Sequence, residues 1–158
     1  MRVLFVCTGN TCRSALAEAI AVREAAARGM HDVRPSSAGT SAWDGAPASD
    51  GALLVGIERK LDVSGHRARQ LSREIVDVSD LILAMGPHHV ERIEALGGTG
   101  KTHLLTDFAE RSGEGRAIVD PFGGGLEIYR STMDELERIV GLAFDRLASE
   151  RPENRGAE

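Results

Sequence analysis

The chain has 158 residues, 42% hydrophobic and 27% charged, with a formal net charge of −5. That size and balance fit one globular domain with a sizeable core, and the negative charge argues against a general affinity for nucleic acid. No apolar stretch approaches the roughly 20 residues of a membrane span, and the first apolar run is too short for a secretory signal, so a cytoplasmic protein with no membrane or nucleic-acid partner is expected.

Val3-Leu4-Phe5-Val6 reads as a buried strand. Residues 14–28 are strong helix formers with Leu16 and Ile20 on one side, and Gly29 suits a C-cap. Val33 to Ala38 is the second strand, and a strand–helix–strand unit predicts parallel pairing with a right-handed crossover. A loop of small residues, 39–48, holds the only tryptophan, Trp43. Ser49 or Asp50 caps a helix carrying Leu53, Leu54, Ile57 and Leu61 at helical spacing. Residues 65–69 form a basic connector in which Arg67 and Arg69 read as solvated. Ser72 caps a short helix with Ile75, Val76 and Val78, and residues 80–85 form the third strand.

Pro87 opens a helix with Val90, Ile93 and Leu96, which Gly97 ends. The neighbours His88 and His89 cannot share a helix face, so they read as solvated rather than as a metal pair. Residues 97–102 approach a phosphate-binding P-loop pattern. That pattern needs glycine at Ala95 and a preceding strand, so the segment reads as a turn. Lys101 to Leu105 is the fourth strand and 106–119 a loop. Asp120-Pro121-Phe122-Gly123-Gly124-Gly125 is a second loop, followed by a long amphipathic helix with Tyr129, Met133, Leu136, Val140, Ala143 and Leu147 on its apolar face. The pattern predicts a single α/β domain over residues 1–148, a parallel sheet with helices on both faces, and a disordered polar tail over 149–158.

The chemistry concentrates in Cys7-Thr8-Gly9-Asn10-Thr11-Cys12-Arg13-Ser14, between the first strand and first helix. Backbone N–H groups converge at such a junction and the helix dipole favours an anion. The loop starts with a thiol and closes, after five intervening residues, with a guanidinium, so both can address one tetrahedral anion, a phosphate. A free cysteine has a pKa near 8.5. The helix N-terminus, the loop amides, Arg13 and a hydrogen bond from Ser14 would lower it. Arg13 can hold two phosphoryl oxygens with its planar fork. Gly9 permits close approach or positive φ, and Asn10 tolerates the left-handed region while its amide ties down the loop. The leaving group needs a proton donor. Asp120 is the candidate, on a loop stiffened by Pro121 and loosened by Gly123–Gly125. No cofactor and no metal are required. With only two cysteines, both in the loop, reactivity is a better reading than a structural disulfide.

Residues 6–15 resemble the N-terminal signature of the low-molecular-weight protein tyrosine phosphatases, and 37–40, 66–71, 80–85 and Asp120-Pro121 resemble later landmarks of that family in the same order. The resemblance implies a four-stranded sheet of order 2-1-3-4. It implies Cys7 as nucleophile forming a phosphocysteine, Arg13 as phosphate clamp, and Asp120 as general acid and then base. It implies that Thr8 to Cys12 and Ser14 surround the phosphate, that His66 fixes Asn10, and that Cys12 forms a reversible disulfide with Cys7.

Two departures bear on the substrate, a phosphorylated protein. Thr11 stands where tyrosine phosphatases usually carry a bulky aliphatic residue, and Phe122-Gly123 follows Asp-Pro where they often have tyrosine. Both features are similar to the bacterial protein arginine phosphatase branch. A threonine hydroxyl offers a polar leaving group a partner, whereas isoleucine favours a phenyl ring. Trp43 looks like an apolar wall for phosphotyrosine, although it could stack on a guanidinium. Phosphoarginine is the expected substrate and phosphotyrosine the alternative. An arsenate reductase would need a further downstream cysteine, and a phosphopeptide-binding module would not need Cys7, Arg13 and an acid together.

Overall fold

The strand leading into the cysteine loop lies inside a four-stranded sheet of order β2-β1-β3-β4, with every neighbouring pair parallel. The computed structural model describes residues 1–151. Its strands are β1 (Arg2–Cys7), β2 (Arg34–Gly39), β3 (Leu81–Ala84) and β4 (Thr102–Leu104). The helices are α1 (Arg13–Ala27), α2 (Asp50–Glu58), α3 (Arg73–Val78), α4 (Pro87–Ile93), α5 (Leu105–Glu110) and α6 (Leu126–Ser149). The expected α/β domain and strand order are both present. The polar tail falls largely on 152–158, outside the described residues, and α6 itself runs on to Ser149.

Side chains alternate across β1, so one apolar run serves two cores. Val3, Phe5 and Cys7 join α1, α2, α5 and α6 on one face. Leu4 and Val6 join Ala38, Leu71, Val76, Ile82 and Ile93 on the other. All six apolar positions predicted for the long helix are buried. Pro35 falls in β2, an edge strand, where a missing N–H is tolerated.

Three local expectations change. Leu105 begins α5 instead of ending β4, and residues 105–110 are helical with Leu105, Thr106, Phe108 and Ala109 buried. A six-residue helix spans too few turns to show periodicity. The buried face of α2 consists of Ala52, Val55 and Gly56, while Leu54 and Ile57 face solvent. Small residues let this helix lie close to its neighbours, since a Cβ at Gly51 would sit 2.5 Å from the Tyr129 ring and one at Gly56 would sit 2.7 Å from the Leu61 carbonyl oxygen. Leu61 is buried from beyond the helix end, after Lys60 turns the chain at φ 61°.

The end of β2 shapes the cysteine loop. A Cβ on Gly39 would meet the Thr8 carbonyl oxygen at 2.4 Å, so only glycine admits the loop there. Thr40 N–H donates to the Cys7 carbonyl (3.0 Å) and Ser41 N–H to that of Thr8 (2.9 Å).

Candidate active site

Cys7 ends β1 with its sulfur facing two donors. Asn10 N–H points at Sγ from 3.3 Å and Ser14 Oγ lies 2.9 Å away. The Asn10 side-chain amide donates to Ser14 Oγ at 2.8 Å, which leaves the Ser14 hydroxyl proton for the sulfur. Both donors suit a negatively charged nucleophile. Asn10 is fully buried and left-handed, at φ 57°. It is held from outside the loop, where His66 Nε2–H donates to its carbonyl (2.6 Å) and Arg69 N–H to its Oδ1 (3.0 Å). The first contact fixes the tautomer of a neutral His66. Gly9 needs no positive φ, and a Cβ there would meet only Thr11 Oγ1 at 3.6 Å, an ordinary contact. The left-handed turn expected of either residue falls to Asn10 alone.

Arg13 begins α1 yet is almost completely buried. Its Nη1 donates to the Ile118 carbonyl (3.1 Å) and its Nη2 lies 3.4 Å from Asp120 Oδ2. Its buried Nε has no partner, and such a donor costs free energy unless a ligand supplies the acceptor. Asp120 Oδ1 accepts the Phe122 N–H at 3.0 Å, an Asx turn that fixes the half-exposed carboxylate. Cys7, Thr8, Gly9, Thr11, Cys12, Arg13, Asp120 and Phe122 together line a cavity of about 200 Å³.

The family profile described as low molecular weight phosphotyrosine protein phosphatase matches residues 2–153. The chain belongs to that family. This low-molecular-weight phosphatase is a cysteine-based hydrolase of phosphoproteins. It is 38% identical to a protein-arginine-phosphatase of Geobacillus stearothermophilus, over 95% of this chain and 98% of the relative. It is 37% identical to the low molecular weight protein-tyrosine-phosphatase PtpB of Staphylococcus haemolyticus, over 89% and 96%. Its structure is similar to that of a YwlE arginine phosphatase C7S mutant with a phosphorylated active-site serine, with a TM-score of 0.87, 33% identity, and coverage of 96% and 98%.

In this phosphatase Trp43 is 84% exposed and does not line the cavity. The exposed aromatic at the cavity is Phe122, at 79%. Burial first, and then the neighbouring Cys7, push the Cys12 thiol up to about 12, so it stays protonated at neutral pH. Its sulfur donates to Asp120 Oδ1 over a long 3.9 Å.

The structure also corrects the reading of His89, which is fully buried rather than solvated. Its Nε2 pairs with Thr8 Oγ1 at 2.9 Å. Burial first, then His88 and Arg13, push it down to about 4, so a neutral ring braces the loop without adding charge beside Arg13. Nothing in the sequence pairs His89 with Thr8. Arg67 and Arg69 face a different cavity from the one lined by Cys7 and Arg13.

Proposed function

We propose that this phosphatase hydrolyses phosphoarginine in proteins, with Cys7, Arg13 and Asp120 as its catalytic residues. Thr11 carries the reading. It lines the cavity beside Cys7, Arg13 and Asp120, and its hydroxyl has no side-chain hydrogen bond among the described residues. It is free to meet a polar leaving group, where an aliphatic side chain would leave a guanidine N–H unpaired. Phe122 offers the guanidine plane a face to stack on. The 38% identity to an arginine phosphatase supports the same substrate.

The Cys7 thiolate attacks phosphorus as the P–N bond breaks, and Asp120 delivers a proton to the departing guanidine nitrogen. Arg13 Nε and the loop amides hold the phosphoryl oxygens, with Asn10, Ser14 and His66 supporting the loop. Asp120, now a carboxylate, takes a proton from water. The water oxygen attacks phosphocysteine, releasing phosphate and the Cys7 thiolate. The kcat/KM values for matched phosphoarginine and phosphotyrosine peptides test the assignment. Wild type should prefer phosphoarginine, and Thr11→Ile should shift the ratio toward phosphotyrosine by about 10- to 100-fold. An unchanged ratio would remove Thr11 as the selector.

Cys12 serves as the resolving thiol. Peroxide converts the Cys7 thiolate to a sulfenic acid. The Cys12 sulfur then displaces hydroxide, which leaves as water with the Cys12 proton, and a disulfide forms. Sulfenic acid is neutral, so the charge of Cys7 that helps keep Cys12 protonated is gone at that step. Wild type treated with peroxide and then dithiothreitol should regain most of its activity, whereas Cys12→Ser should stay inactive. Equal recovery would assign Cys12 to packing.

A further inference from the structure

A second cavity, of about 390 Å³, runs along the edge strand β2, away from the catalytic one. Arg2, Arg34, Arg67 and Arg69 line it. Elsewhere most described arginines of this acidic chain are paired, Arg28 with Glu24 and Asp145, Arg59 with Asp134 and Glu137, Arg130 with Glu58 and Glu127, and the two that are not, Arg73 and Arg92, do not line this cavity. None of the four around this cavity has a carboxylate within ion-pair distance among the described residues. Asp80 lies near Arg2 but accepts from its backbone N–H at 2.7 Å. The one carboxylate in the lining, Glu18, is engaged by the Ser37 hydroxyl at 2.6 Å.

We propose that this cavity binds a small molecule bearing a chain of phosphate groups. Four guanidiniums around one concavity repel one another, and that repulsion is relieved by an anion of more than one charge. Guanidinium forks match phosphate oxygens in pairs. The cavity is about twice the volume of the catalytic one, so it has room for more than one phosphoryl group. Its volume of about 390 Å³ falls within the range of small-molecule sites, which favours a compact ligand over an acidic polypeptide. Occupancy reaches the catalytic loop through the same connector, because His66 and Arg69 both line the cavity and both hold Asn10.

The test removes the catalytic site from competition. Iodoacetate alkylates Cys7 and leaves the protonated Cys12 alone, and the added carboxylate fills the small cavity. Tripolyphosphate is then titrated into the carboxymethylated protein by calorimetry at low salt. One saturable site per chain is expected, weakened at least about tenfold in Arg34→Gln/Arg67→Gln, while the unmodified double variant hydrolyses a small aryl phosphate at the wild-type rate. A nucleoside triphosphate binding as tightly as tripolyphosphate assigns recognition to the phosphate chain alone, and tighter binding adds the nucleoside. Absence of saturable binding, an unchanged affinity in the double variant, or tighter binding of an octaglutamate peptide would overturn the proposal.

Discussion

Cys7→Ser is expected to lower turnover of phosphorylated peptides by more than about 10⁴-fold while leaving phosphate binding in place. The exchange changes one atom at the end of β1, so the Asn10 and Ser14 donors and the Arg13 fork keep their positions. What is lost is the nucleophile. A serine hydroxyl is not ionised at neutral pH, and no base stands beside position 7, since its closest polar neighbours are the donors Asn10 N–H and Ser14 Oγ. The C7S arginine phosphatase carries a phosphorylated active-site serine, so in that protein a serine can hold the phosphoryl group. The same trapped ester is expected here, detectable by mass spectrometry after incubation with substrate. Phosphate should raise the unfolding temperature of variant and wild type alike. Residual turnover within tenfold of wild type would displace Cys7 as nucleophile.

How much of this site can be read from residue order follows from which contacts are local. Cys7, Arg13 and the left-handed Asn10 all fall within one strand–loop–helix junction, and strand and helix signals on either side define it. The contacts that hold the junction are distant. Arg13 reaches the Ile118 carbonyl 105 positions away and Thr8 reaches His89 81 positions away. A backbone carbonyl has no residue-type signature, and a histidine on a short helix reads as surface until the fold turns that face inward. The sheet was legible because the apolar runs of β1 and β3 stand out and short extended segments alternate with helices along the chain. The face of α2 was not, because its packing is done by Ala52 and Gly56 rather than by its large residues. Trp43 was misplaced for a related reason, since composition marks an aromatic as a wall but not which way its loop points.

Asp120→Asn should divide the two halves of the reaction. The substitution preserves shape, because the amide oxygen can still accept the Phe122 N–H that fixes the side chain. It removes the acid and the later base together. In the free enzyme the Asp120 carboxylate leans on Arg13. An arriving phosphoryl group claims that guanidinium and frees the Asp120 carboxyl to pass a proton to the leaving nitrogen. A guanidine departs poorly without that proton. Turnover of phosphoarginine peptides should therefore fall by about 10²- to 10⁴-fold with no burst of product. An aryl phosphate whose phenolate leaves as an anion needs no acid, and its first step should slow by less than about tenfold. Hydrolysis of phosphocysteine still lacks its base. The variant should thus release one equivalent of phenolate quickly and then continue at a greatly reduced rate. Rapid-mixing absorbance measurements separate the two phases. If the burst slows as much as phosphoarginine cleavage does, Asp120 is not the proton donor, and its place beside Arg13 must be explained by loop geometry alone.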